Sequence, residues 1–456
     1  MIKAVKKLFA LVRSEQAVLF SVMSTGWSFV AGPVTIAIVG ARFTPELQGY
    51  YQTFLTVIGL SAYLQLGLGR VIIQFASHEW AKLSFDDNGC VTGDEAAKSR
   101  LANLAKFAIK WYLVAGGIAI IFLGIGGTVF FMKSKNALDS SIWLAPWISL
   151  AVLCGLQMML TPIFYLLEGC NQVKSIYKFR FFTGMVGNIS IWIAVYSGAE
   201  LWTYSVFFIV WMLMAIIFLR IKYWNFIKTI FITKAAKEKL NWIKELMPLQ
   251  IKLVILSFST YVIFQFYTLG AMFARGPFRA CQTGTTILFV LMLGTVMAAF
   301  INPKMPYFGI LIAEKKYKEL DKLFLKLFLT AASLMLLGGF VLWLGVVMLN
   351  VLPFHLAGYY AERLLKPAPT AIFITAYIIW ALSLYSGWYL IAHKKLPQIW
   401  LVIVTAILSV GIMLLLGNRY GITETGIGLI VVQLIMLPVM LLTVFHYRKK
   451  WHYNCD

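Results

Sequence analysis

Two cations stand in this chain where a cation is expensive. Arg70, in QLGLGRVIIQ, and Lys304, in INPKMPY, each lie late in a long apolar run. A Lys or Arg at the centre of a membrane helix costs on the order of 2.5–3.5 kcal/mol on insertion scales, so each needs a wet cavity, an anionic partner or a route out of the hydrocarbon. Two such charges at similar depth suggest a cationic cavity that receives an anionic headgroup. Both also lie near one end of their run, where either could snorkel to lipid phosphates. The prolines at 303 and 306 break helix bonding beside Lys304, which is tolerated at depth only where backbone meets protein or water. At the opposite ends of the runs, Arg42, Arg275 and Arg279 could form a second anion-attracting ring, or simply be helix-end charges facing water. Glu168 and Glu424 are the carboxylates available for ion coupling, and both read equally as helix-end charges.

Absent motifs narrow the chemistry. The sequence has no phosphate-binding G-x-x-x-x-G-K-[ST] loop and no G-x-S-x-G elbow. His78-Glu79 lacks the second histidine of a zinc helix, with Lys82 in its place. Cys90, Cys154, Cys170, Cys281 and Cys455 are scattered, without a C-x-x-C pair. No cofactor, metal or catalytic residue is expected, and the chain is not expected to be an enzyme.

The elements that must position these charges are membrane helices. Of the 456 residues 61% are hydrophobic and 13% charged, with mean hydropathy +0.81, against roughly a quarter charged in soluble domains. Apolar runs fall roughly at 17–40, 49–75, 110–131, 142–167, 181–199, 201–221, 249–274, 282–307, 323–348, 370–392, 398–417 and 423–445. Each matches the ~20 residues a helix needs to span the hydrocarbon. The net charge of +22 is concentrated in every second connection. Lys3, Lys6, Lys7 and Arg13 lead, followed by clusters at 82–110, 174–180, 220–252 (Lys234, Lys237 and Lys239 at its centre), 315–326, Lys394-Lys395 and 448–450. The other side holds Arg42, Lys133, Lys135, Arg275, Arg279, Arg363, Lys366 and Arg419. The bias places both termini in the cytoplasm and makes the basic residues topology signals and contacts for anionic membrane lipids, not a nucleic-acid surface. Trp143, Trp147, Trp202 and Trp224 are expected in interfacial belts.

The stretch FIKTIFITKAAKEKLNWIKEL is expected to lie as an amphipathic helix in the headgroup layer. It divides the chain into an N-terminal six-helix lobe (1–221), a cytoplasmic connection (222–248) and a C-terminal six-helix lobe (249–456). The halves look like a degenerate repeat. Ala41-Arg42 is echoed by Ala274-Arg275, Gln52-Thr53 by Gln282-Thr283, and Tyr165-Leu166-Leu167 by Tyr389-Leu390-Ile391. The expected fold is an all-α polytopic membrane protein of about 12 transmembrane helices, in two pseudo-symmetric six-helix lobes around a central cavity.

The stretch RFTPELQGYYQTFLTVIGLSAYLQLGLGRVIIQFAS resembles the opening of polysaccharide-exporting flippases. YLLEGCNQVKSIYKFR resembles their helix-4 exit, and GPFRACQTGTTILFV their helix 7–8 turn. The likeness covers nearly the whole chain, as a pattern of hydropathy and glycine. It is greatest to the O-antigen flippases of the multidrug/oligosaccharidyl-lipid/polysaccharide exporter superfamily. The resemblance implies alternating-access transfer of an undecaprenyl-pyrophosphate-linked oligosaccharide across the bacterial inner membrane. Arg70 and Lys304 suit the pyrophosphate by sign and depth, and a polysaccharide polymerase and chain-length regulator would be partners. A drug/cation antiporter of the same fold is the main alternative, disfavoured by the few acids inside the runs. A membrane glycan polymerase is less consistent still, for want of a large outer loop.

Overall fold

The structure is a computed structural model and describes residues 16–65, 67–233, 242–301, 304–393, 396–417 and 420–452. Lys3, Lys6, Lys7, Arg13, Lys234, Lys237, Lys239, Pro303, Lys394, Lys395, Arg419 and Cys455 lie outside the described residues. Ten described helices are long and apolar enough to cross a membrane, or up to eleven with a bent pair taken as one span. The chain is a helical, multi-pass membrane protein. It packs as two compact units, one of residues 1–44, 57–132 and 138–251, the other of 45–56, 133–137 and 252–456.

The first unit begins with α1 (Gln16–Arg42), which packs along α8 (Val173–Tyr196). The second apolar run is not one helix. It forms α2 (Pro45–Gly59), a single turn α3 (Ser61–Leu64) and α4 (Leu68–Trp80), with a 43° bend at the break. Gly67 sits in the left-handed region at φ 65°, open to glycine with little steric cost, and its position ends one helix and starts the next. The third run is longer than the sequence suggests. From Glu95 to Met132 it continues through α5 (Glu95–Ile121), a π-helical turn (Phe122–Gly127) and α6 (Thr128–Met132). At 1.5 Å per residue those 38 residues reach about 57 Å, well beyond the ~30 Å hydrocarbon.

The connection expected at 76–109 is therefore mostly helix. Its remainder is an antiparallel hairpin of β1 (Leu83–Phe85) and β2 (Val91–Gly93). Asp86 closes the hairpin by accepting from the Asn88 and Cys90 backbone N–H groups. Arg100 and Glu79 pair at 3.0 Å, tying the end of α4 to the start of α5.

α7 (Ser140–Gly169) opens at Asp139, whose carboxylate accepts from the Ser141 N–H at 2.8 Å. That hydrogen bond holds the exposed Asp139 carboxyl below the usual carboxylate range. α7 packs on both α5 and α4. The unit closes with α9 (Thr203–Lys222) and α10 (Trp224–Ile232). The fifth expected span, at 181–199, is the helix α8, which starts earlier and ends at Tyr196. Lys174, Lys178 and Arg180 on its first two turns make it less apolar than its neighbours.

One expectation is corrected here. Trp143 and Trp147 are not belt residues; both are buried, packed on Phe131. Their indole N–H groups are satisfied inside the protein, by the Leu138 and Leu123 carbonyls. Trp202 and Trp224 do remain exposed. The middle of the stretch expected as an amphipathic helix, 234–241, lies outside the described residues. α10 buries Phe226 and Ile230 in the first unit's core, and Trp242 already belongs to the next long helix. Asn225 donates to the Asn88 carbonyl and Lys106 to the Thr233 carbonyl, so α10 is pinned to the hairpin and to α5.

The second unit repeats the order. α11 (Trp242–Arg275) is followed by a run that breaks, as α12 (Pro277–Ile301) and α13 (Met305–Ala313). Then come α14 (Tyr317–Val351), the short α15 (His355–Ala361), α16 (Pro367–Ala392), α17 (Ile399–Gly417) and α18 (Ile422–His452). α16 is the centre of this unit, packed on α18, α14 and α12. Its buried Phe373, Tyr377 and Trp380 form a wall of rings with Phe264 and Tyr267.

Candidate functional site

Both membrane cations sit at helix breaks. Arg70 is the third residue of α4, just past Gly67, and its side chain is exposed. Lys304 is the N-cap residue of α13, with Pro306 two residues on, and is also exposed. In each unit one helix ends and a shorter one follows that carries a cation at its N-terminus, Arg70 in the first turn of α4 and Lys304 at the N-cap of α13. A helix N-terminus already carries partial positive charge from its aligned peptide dipoles. Adding Arg70 or Lys304 there is mildly unfavourable, by roughly 0.3–1 kcal/mol, until an anion is bound. A phosphate meets such a site on two counts, the side-chain charge and the helix end.

Around Arg70 the packing is aromatic. The Tyr165 ring lies directly against Gly69, so close that a Cβ there would sit 2.5 Å from the ring. Tyr112 stands beside Tyr165, ring centroids 6.3 Å apart, and is fully buried. These rings back the start of α4 and leave the outward face of its first turn to Arg70.

The remaining expected site residues have identifiable partners. Arg42 lies 4.8 Å over the Tyr196 ring. Arg275 donates from Nε and Nη2 to the Gly417 carbonyl at 3.2 and 3.1 Å, capping α17. Arg279 donates to Gln282 Oε1 at 2.7 Å, and Gln282 passes its own N–H to the Glu362 carbonyl. Arg42 and Arg279 keep exposed surface; Arg275 is half-buried. Glu168 is joined to Arg180 at 2.6 Å. Glu424 stands exposed on the first turn of α18, where its charge complements the helix N-terminus.

Sequence reasoning missed two features. One is a buried polar seam in the second unit, where the first turns of α2 meet α12. Gln48 donates to Thr285 at 3.1 Å, and Gln52 packs against Gly284. The repeated Gln-Thr dipeptides at 52–53 and 282–283 were its signal, and all four residues are buried. The other is a cluster of Tyr389, Asp321, Arg448, His393 and His452, drawn from three helices. Only the rarity of histidine, five in the whole chain, hinted at it. Among the described residues no group of three or more His, Cys, Asp or Glu could hold a metal ion.

Comparison of the sequence with protein-family models and with curated proteins finds no match. Solved structures do match. An inward-facing multidrug resistance MATE family transporter of the MOP superfamily superimposes with TM-score 0.65 at 13% identity, covering 93% of this chain and 96% of that one. The fold is that of the MOP-superfamily transporters. The lipid II flippase MurJ, in an inward closed conformation, gives TM-score 0.56 at 14% identity over 96% of this chain and 90% of that one. A MOP superfamily transporter from Pyrococcus furiosus, described by the reversed polarity of its binding pocket, gives 0.52 at 13% identity over 96% of both chains. The proteins this MOP-type fold resembles are thus transporters and a flippase.

Proposed function

We propose that the chain is a flippase for an undecaprenyl-pyrophosphate-linked oligosaccharide, an O-antigen or related surface-glycan repeat unit. It acts in the bacterial inner membrane by alternating access, with both termini in the cytoplasm. The observation that carries this reading is the placement of Arg70 and Lys304, each exposed at the start of a short helix after a break in the second spanning element of its half. Two cations at the positive ends of helices suit a diphosphate and repel a cationic drug. The likeness to a lipid II flippase supports a lipid-linked cargo, and the likeness to multidrug transporters supports the same fold with a different one.

In this proposal Arg70 and Lys304 engage the pyrophosphate while the prenyl chain stays in lipid. Arg42, Arg275 and Arg279 draw the anion at the far end of the path. Ion coupling through Glu168 or Glu424 belongs to the same proposal, as do a polysaccharide polymerase and a chain-length regulator as partners.

A strain lacking the gene, complemented at equal expression, tests it. Arg70→Ala with Lys304→Ala is expected to lower surface glycan at least tenfold and to accumulate lipid-linked intermediates. Wild-type export by that double variant overturns the role of the two cations. Intact surface glycan in the deletion strain overturns the flippase assignment itself.

A further inference from the structure

The second unit carries a group of titratable side chains that the transport reading does not use. Asp321, near the start of α14, accepts from the Tyr389 hydroxyl at 2.5 Å and from Arg448 at 2.6 and 3.0 Å. Tyr389 lies near the end of α16, and Arg448 near the end of α18. Next to them the imidazoles of His393 and His452 face one another, Nε2 to Nε2, at 3.0 Å. His393 Nδ1 lies 2.9 Å from the Tyr389 carbonyl, and His452 Nδ1 lies 3.5 Å from the Tyr389 hydroxyl. The Tyr317 ring of α14 stacks on His452 at 3.9 Å. Three helix ends thus meet on two histidines.

Proton counting limits what this arrangement can hold. A carbonyl only accepts, so His393 Nδ1 must carry a hydrogen. Two ring nitrogens at 3.0 Å need one hydrogen between them: with none, two lone pairs meet, and with two, N–H meets N–H. In the neutral pair His452 donates from Nε2 to the bare Nε2 of His393. One further proton is accommodated on His452 Nδ1, toward the Tyr389 oxygen. A second is not, because both Nε2 atoms would then be donors.

Among the described residues the surrounding charges do not relieve this limit. Asp321 is the carboxylate that bears on His452, and Arg448 already neutralises it. Lys318, Glu319, Lys322, Lys449 and Lys450 on the flanking turns are exposed to solvent. His452 itself is 9% exposed.

We propose that the facing imidazoles of His393 and His452 form a proton-operated latch. It holds the ends of α14, α16 and α18 together while the pair carries at most one positive charge, and releases them when both rings are protonated. The inference concerns the second unit alone and does not depend on the cargo. The sign follows from linkage. Separated histidines, with an ordinary value near 6.5, take up two protons in acid, whereas the closed pair takes at most one. The open form therefore gains by about tenfold per pH unit below ~6.5, for each proton the closed form refuses.

Hydrogen exchange on the full chain in lipid nanodiscs tests this, with rates corrected for the intrinsic pH dependence of exchange. In the wild type, segments 388–393 and 446–452 are expected to exchange up to about tenfold faster at pH 5.5 than at pH 7.5. Segment 150–158 of α7 is expected to be unchanged. His452→Gln, which cannot take a proton, should lose the acid response, and the exposed His446→Gln should keep it. Equal corrected rates in the wild type at the two pH values overturn the latch, with no variant needed. An undiminished acid response in His452→Gln overturns it as well.

Discussion

Arg180 and Arg448 perform the same task at single-residue scale, each neutralising a carboxylate that is largely removed from water. The side chain of Glu168 is 13% exposed and that of Asp321 17%, while their arginines are 40% and 35% exposed. Losing the arginine should therefore hurt more than neutralising the acid, because a buried charge without its partner bears the desolvation penalty. Arg180→Met is expected to cost about 1–2 kcal/mol, a figure already reduced for solvent screening at the exposed arginine. Glu168→Gln, which keeps a hydrogen-bond acceptor for Arg180, should cost less than ~1 kcal/mol. Thermal melting of the purified variants checks the order, and a larger loss for Glu168→Gln contradicts it. These pairings were illegible in the sequence. Glu168 and Arg180 are twelve positions apart and Asp321 and Arg448 over a hundred, on helices whose rotation only packing sets.

At the scale of the element, the decisive device is the broken second helix of each half. Hydropathy locates the runs at 49–75 and 282–307 but is blind to the interruptions within them, because a turn of two or three residues barely alters a twenty-residue average. Glycine and proline were the local clues: Gly67 in the first, and the prolines at 303 and 306 in the second. At φ 65° Gly67 holds a conformation that costs other residues about 1–2 kcal/mol. Gly67→Ala is expected to lose that much stability in a melting experiment, and Gly67→Asn less, since asparagine tolerates the left-handed region. If alanine and asparagine behave alike, the left-handed turn is not what starts α4. The length of Glu95–Met132 was likewise missed. Its first turns are polar enough to read as a loop, and they are helical because Ala97, Leu101, Leu104, Ala105 and Ala108 are buried in the first unit's core.

At the scale of the molecule, α2 is divided between the two units. Residues 45–56 pack with the second unit, and residues from Val57 onward with the first. The attachment is tight at Gly49, where a Cβ would lie 1.9 Å from the Pro277 carbonyl oxygen. A backbone atom at that distance has little freedom to yield, so Gly49→Ala must push the first turns of α2 off α12, at about 1–3 kcal/mol. The expected readout is hydrogen exchange faster by roughly five- to 150-fold at 45–56 and 277–286, with α5 and α7 unchanged. Unchanged protection at 45–56 would show that this contact does not hold α2.

By itself the sequence determined the solvent this protein folds in, the approximate number and position of its spans, and the doubling of a six-helix plan. Those follow from hydrocarbon thickness and backbone hydrogen bonding, which act on each segment separately. It also singled out Arg70 and Lys304, since a charge inside an apolar run is visible without coordinates. Tertiary structure decided the rest: that both cations begin short helices, that Trp143 and Trp147 are core, that α2 is shared between units, and that His393 meets His452. Each of these depends on which face of one helix meets which face of another. In a chain that is 61% hydrophobic the faces differ little in composition, so helix rotation and pairing are set by packing over the whole unit.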